Sequence, residues 1–103
     1  MLFLLDIHLN DKVLDMPLDE LWDIWAKEAE AAGQATEAGL VVGLYKVVGQ
    51  RRVICIADAE SHDQLDQILM AKLPMAHLLD IREVSPLRLY KDFATDVKKK
   101  FAD

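Results

Sequence analysis

What most constrains the fold of this chain is the order in which the spacing of its apolar residues changes. Phe3, Leu5, Ile7 and Leu9 alternate with Leu2, Leu4, Asp6 and His8, the period of two that a strand imposes, with one wholly apolar face and one that turns polar. After a connecting loop over Asn10–Met16, Pro17 suits the first turn of a helix. Leu18, Leu21, Trp22, Ile24, Trp25, Ala29 and Ala32 then recur on one helical face until Gly33 to Gly39 loosen it. The valine-rich run Leu40 to Val48, the turn Gly49-Gln50 and the run Arg51 to Ala57 read as an antiparallel hairpin. Ser61 with Gln64 is a capping-box pattern opening a second helix, in which Leu65, Ile68, Leu69 and Leu73 keep helical spacing until Pro74 stops it. Leu78 to Val84 is a fourth strand, closed by Ser85-Pro86.

Strand, helix, strand, strand, helix, strand is the order of two split βαβ units. It predicts an α+β, ferredoxin-like βαββαβ sandwich in which one sheet carries both helices on a single face. The opposite sheet face then needs its own cover, and a second copy packed sheet to sheet, as in a dimeric α+β barrel, would supply it. Residues 1–88 make this domain, and residues 89–103 form an amphipathic helical tail with Tyr90, Phe93, Val97 and Phe101 on one side. Residues 87–103 carry five basic and three acidic side chains, whereas residues 1–86 carry seven and fifteen. Opposite charge favours docking the tail on the acidic body, its own or a neighbour's; the alternative is a solvated, frayed end.

At 103 residues and a net charge of −6, the chain is a single domain without the basic surface that nucleic-acid binding draws on. Cys55 is the only cysteine and sits in the strand-like run Val53-Ile54-Cys55-Ile56, where it reads as a small buried hydrophobe rather than a redox or metal ligand. The apolar start Met1-Leu2-Phe3-Leu4-Leu5 breaks at Asp6. It is too short for a signal peptide or a membrane span, so a cytoplasmic location is the expectation.

Glu28 stands out chemically. On the helical wheel it falls about 20° from Leu21, between Ile24 and Trp25, while Asp19, Glu20, Asp23, Lys27 and Glu30 take the solvated side. A carboxylate in an apolar wall loses hydration, which favours its neutral form and raises its pKa toward the range where it can accept and return protons. Two structural outcomes stand beside this one: the side chain can snorkel to solvent, or it can pair with a cation from the facing sheet.

The chain resembles the muconolactone isomerase family. The resemblance is carried by Met1-Leu2-Phe3, Asp15-Met16-Pro17, Lys27-Glu28, Tyr45-Lys46-Val47-Val48-Gly49-Gln50, Asp58-Ala59-Glu60-Ser61, Leu73-Pro74, Asp80-Ile81 and Val84-Ser85-Pro86-Leu87, which together span residues 1 to about 88 in the family's order. It implies a ferredoxin-like fold, dimers joined into larger rings and no metal or organic cofactor. The implied reaction shifts a double bond in a small anionic unsaturated lactone, a ring-cleavage product of aromatic-compound degradation. Glu28 matches the family's catalytic glutamate, and Lys46 stands where the family usually has arginine.

Two departures bear on mechanism. The family places a tyrosine and, two residues later, an asparagine after the Gly-Gln turn, where this chain has Arg51 and Val53. Arg51 is a substitute clamp for a carboxylate or an enolate oxygen, or else a structural partner that neutralises Glu28. Trp25, with Trp22, can wall a ring ligand or serve as core. Lys46 can bind an anion or be solvated, His77 follows Leu73-Pro74 near the loop that the family uses around its pocket, and Asp6 with His8 can form a relay pair or face a dimer seam. The expected function is a cofactor-free proton transfer by Glu28 with Arg51. The alternatives are elimination or dehalogenation of a substituted lactone on the same scaffold, and a non-catalytic ligand-binding or assembly protein.

Overall fold

The computed structural model describes residues 1–103. Four strands, β1 (Leu2–Leu9), β2 (Val41–Lys46), β3 (Arg52–Asp58) and β4 (Leu79–Leu87), form one sheet in the order β2-β3-β1-β4, every pair antiparallel. Helices α1 (Leu18–Glu37) and α2 (His62–Gln67) supply the expected βαββαβ order, and α3 (Tyr90–Lys98) follows. No helix is long and apolar enough to cross a membrane.

Several boundaries differ from the sequence expectation, each for a local reason. The Asn10–Met16 loop contains a 3-10 turn over Asp11–Asp15, capped where the Asn10 Oδ1 accepts from the Lys12 N–H at 3.0 Å. Pro17 occupies the cap position just before α1. The helix runs straight through Gly33, a residue whose helical penalty is only about 1 kcal/mol, and ends before Gly39, whose φ of +83° suits glycine. The Ser61 Oγ accepts from the Gln64 N–H at 3.0 Å while the Gln64 side chain accepts from the Glu60 N–H at 2.7 Å, a reciprocal cap displaced by one residue from the standard box. Helix α2 then widens into a π-turn over Ile68–Lys72, and Leu73 is extended, as a residue before proline prefers. Strand β4 does not close at Ser85-Pro86 but continues to Leu87, with Pro86 opposite Phe3. It is an edge strand, where a missing N–H can be tolerated.

The helix-side face of the sheet holds two separate buried clusters. Phe3, Leu5, Cys55 and Ala57 pack with Ala59, Leu65 and Leu69 under α2. Val13, Leu21, Met75 and Leu78 pack at the other end of the strands, where Leu9 lies. Leu21 is the only buried residue of α1's 20, so the helix is pinned near its start while its alanine-rich second half stands off the sheet.

On the other face, Leu2, Leu4, Ile54 and Ile56 are half-buried and no helix covers them. Amid them Arg52 donates two hydrogen bonds to Asp6, at 2.9 and 3.1 Å, and His8 lies 3.2 Å from the same carboxylate. The tail is not buried on its own body. None of α3's residues is buried, and Phe93 stacks instead on Tyr90 and Phe101, at 5.8 and 6.1 Å. The radius of gyration, 16.3 Å, exceeds the roughly 13 Å of a compact domain of this length.

Candidate functional site

Where the second half of α1 stands off the sheet, a cavity of about 560 Å³ opens, touching both buried clusters. Of its 27 lining residues 22 are hydrophobic, so its polar chemistry is confined to a few places. The five exceptions are Glu28 on α1 and Lys46, Gly49, Gln50 and Arg51 at the β2–β3 hairpin. Trp22 and Trp25 wall it as well, their rings 6.1 Å apart. Glu28, Arg51, Trp25 and Lys46 are thus brought to one cavity. His77 is not among the lining residues: its side chain is exposed, and its backbone carbonyl accepts from the Asn10 side chain at 2.9 Å.

Glu28 is half-buried. Loss of hydration pushes its carboxyl above the ordinary glutamate value, and a hydrogen bond from the Met75 backbone N–H to Oε2, 3.2 Å long, pulls part of the way back. Met75 reaches this place because Pro74 ends the π-turn and the chain doubles back through a 3-10 turn at Ala76–Leu78, leaving the Met75 side chain buried in the cluster with Leu21. The sequence reading missed this donor. Its only local sign was Leu73-Pro74, which marks a break but not the partner of the N–H that follows.

No cation lies within ion-pairing distance of Glu28, so the structural pair with Arg51 does not form here. Arg51 is exposed at the cavity wall and has no carboxylate partner, while the next residue, Arg52, is turned to the opposite sheet face and held by Asp6. Consecutive arginines part in this way because side chains along a strand alternate in direction. Lys46 donates from Nζ to the carbonyl of Val47 at 2.8 Å, which keeps its charge at the hairpin. Two cations therefore stand at one end of an apolar cavity that also contains a carboxylate of raised pKa.

Asp6 and His8 do not line this cavity. The Arg52 guanidinium holds the Asp6 carboxyl below its ordinary value. Cys55 lies in the cavity floor, where burial pushes its thiol up and keeps it protonated and unreactive. No three His, Cys, Asp or Glu side chains gather at metal-binding spacing.

Among curated proteins no sequence matches the chain. A crystal structure of muconolactone isomerase at 3.3 Å resolution superposes with a TM-score of 0.71 and 27% identity, covering 86% of this chain and 90% of that one. The family model described as muconolactone delta-isomerase matches residues 1–92. With the βαββαβ architecture shared and nearly the whole chain matched, this protein belongs to the muconolactone delta-isomerase family.

Proposed function

We propose that the cavity is the active site of a cofactor-free isomerase that moves a C=C bond in a small anionic unsaturated lactone formed during aromatic-compound degradation. The observation that carries the reading is Glu28: a half-buried carboxylate of raised pKa, without a cationic partner, facing an apolar cavity that two cations border at the hairpin. In the reaction, Glu28 removes a proton from a ring carbon. The C–H bond breaks, an O–H bond forms on the carboxyl, and the electron pair passes into a dienolate whose charge rests on the lactone oxygen. The same carboxyl, half exposed and exchanging its proton with solvent, then delivers a proton to a different carbon, completing the double-bond shift. Arg51 stabilises the substrate carboxylate or the developing oxyanion, a charge-assisted contact that an apolar surround strengthens. Trp25 supports the ring, and Lys46 adds positive potential.

The uncovered sheet face packs against a second copy, giving a homodimer or larger ring, and the protein acts in the cytoplasm.

A second reading, elimination of a leaving group from a substituted lactone, is favoured by one observation: a permanent cation, Arg51, lines the cavity at the position where the family has a proton-donating tyrosine. Incubation with plain and halogenated muconolactones separates the two. A shifted double bond with halide retained supports isomerisation, halide release supports elimination, and no change in either substrate removes both.

A further inference from the structure

The cavity is longer than the proposed chemistry requires. Arg51, Val53, Cys55 and Ala57 all line it, and at about 3.3 Å per strand residue they span roughly 20 Å. The lining residues of α1 run from Trp22 to Ala35, again about 20 Å at 1.5 Å per helical residue. The two walls run in the same direction. Leu21, next to Trp22, packs in the cluster that also gathers Leu9, whose N–H donates to the Arg51 carbonyl. At the far end, Val41 pairs with Ala57 just after α1 ends. Glu28 therefore sits near the middle. On one side of it are the cations of the hairpin, and on the other the lining residues Ala32, Ala35, Leu40, Ala57, Leu65 and Leu69 are all apolar.

A carboxymethyl-substituted unsaturated lactone has about ten non-hydrogen atoms and fills roughly 180 Å³ at the density of packed organic matter. That is about a third of the 560 Å³ present. Placed with its carboxylate at Arg51 and its ring at Glu28, such a molecule occupies the hairpin half and leaves about 10 Å of apolar groove beyond the carboxylate. Water in that half has few polar partners to replace the hydrogen bonds it gives up.

Resting on the proposed reaction site, we infer that the substrate is an amphiphilic lactone acid: a carboxylate at one end, the reacting ring in the middle, and an alkyl chain of several carbons or an aryl group extending past Glu28 toward Leu65 and Leu69. The specificity-determining residues are Ala32 and Ala35, whose small side chains keep the groove open.

The test is binding of a homologous series to the full-length protein. Carboxymethyl unsaturated lactones bearing hydrogen, methyl, propyl, pentyl or phenyl on the ring are titrated against the fluorescence of Trp22 and Trp25, and turnover is followed separately. Affinity is expected to rise about fourfold per methylene through pentyl. The rise is expected to flatten in Ala32→Phe and in Ala35→Phe, both at half-buried helix positions that line the cavity, with helix content checked by circular dichroism. A gain with chain length that the phenylalanine variants abolish supports the inference whether or not the ligands turn over, so it survives failure of the proposed reaction. Turnover of the unsubstituted lactone with affinity flat or falling along the series overturns the inference and leaves the reaction standing, as when the aromatic face of α3 covers the groove. Absence of binding by every member overturns both.

Discussion

The Glu28 carboxylate accepts a hydrogen bond from the Met75 backbone N–H, 3.2 Å away and 47 residues further along the chain. The contact ties the one acidic side chain of the cavity to the turn after Pro74, and the Met75 side chain packs in the same buried cluster as Leu21 of α1. Position and proton affinity of the carboxylate thus depend on the same piece of packing. Burial raises its pKa, the N–H lowers it, and burial dominates.

The sign of the resulting pH dependence follows from linkage. Because the folded-state pKa of Glu28 lies above the ordinary value of 4.5, its contribution to stability is fully present below that pH and is lost as pH rises through the folded value. Glu28→Gln removes the titration. The stability of the native protein relative to this variant, from urea unfolding at a series of pH values, is expected to fall as pH rises above 4.5 and then level off. A difference that is constant over the range, or that grows with pH, contradicts the burial argument.

Arg51 has no carboxylate partner within the chain, so removing it exposes no buried charge and should not unfold the protein. Arg51→Ala is expected to leave the melting temperature nearly unchanged. Its kcat/KM should drop about 10- to 100-fold, the worth of one charge-assisted hydrogen bond. Arg51→Lys should recover only part, since the forked donor geometry is lost. Unchanged steady-state kinetics in Arg51→Ala would remove the clamp from the mechanism.

Leu21 alone of α1 is fully buried, at 1% exposure. Leu21→Ala should cost about 2–5 kcal/mol by the usual price of a core cavity. Turnover should fall as well under conditions where the variant remains folded, because the helix carrying Glu28 loses its anchor. Denaturant unfolding together with activity on folded protein measures both, and a loss below about 1 kcal/mol would mean that α1 is held elsewhere.

The apolar part of the uncovered sheet face, Leu4 and Ile56 at its centre, are directly paired across β1 and β3. The native protein is expected to sediment as two or more chains, and Ile56→Lys, which puts a charge into that patch, as one chain while the far-ultraviolet spectrum stays native. Retention of the wild-type mass would place the association surface elsewhere.

Much of this architecture is legible in the sequence because it rests on local periodicity. The alternation of Phe3, Leu5 and Ile7, the valine-rich hairpin and the Ser61 cap each specify an element from a few neighbouring residues, and the wheel alone turns Glu28 to the inner side of α1. What escapes is set by long-range geometry. The wheel places Ala29 and Ala32 on the inner stripe but cannot tell that the helix is held mainly in its first half, by Leu21 with Ile24 and Trp25, and so leaves a cavity rather than a packed seam. It likewise cannot assign the Met75 N–H to Glu28, or turn His77 away from the pocket. Pro86 misleads because a proline ends a central strand but can sit within an edge strand, and edge position is a property of the finished sheet.

Solvent-deuterium incorporation tests most directly whether the Glu28 carboxyl carries the proton. Muconolactone in heavy water is followed by proton NMR with the native protein and with Glu28→Gln at matched folded concentration. The expected result is ring deuteration and double-bond shift with the native protein, both slowed by about 10²- to 10⁴-fold in the variant, the usual worth of a general acid–base group. Equal rates of both processes in the two proteins would contradict the claim and move the chemistry away from Glu28.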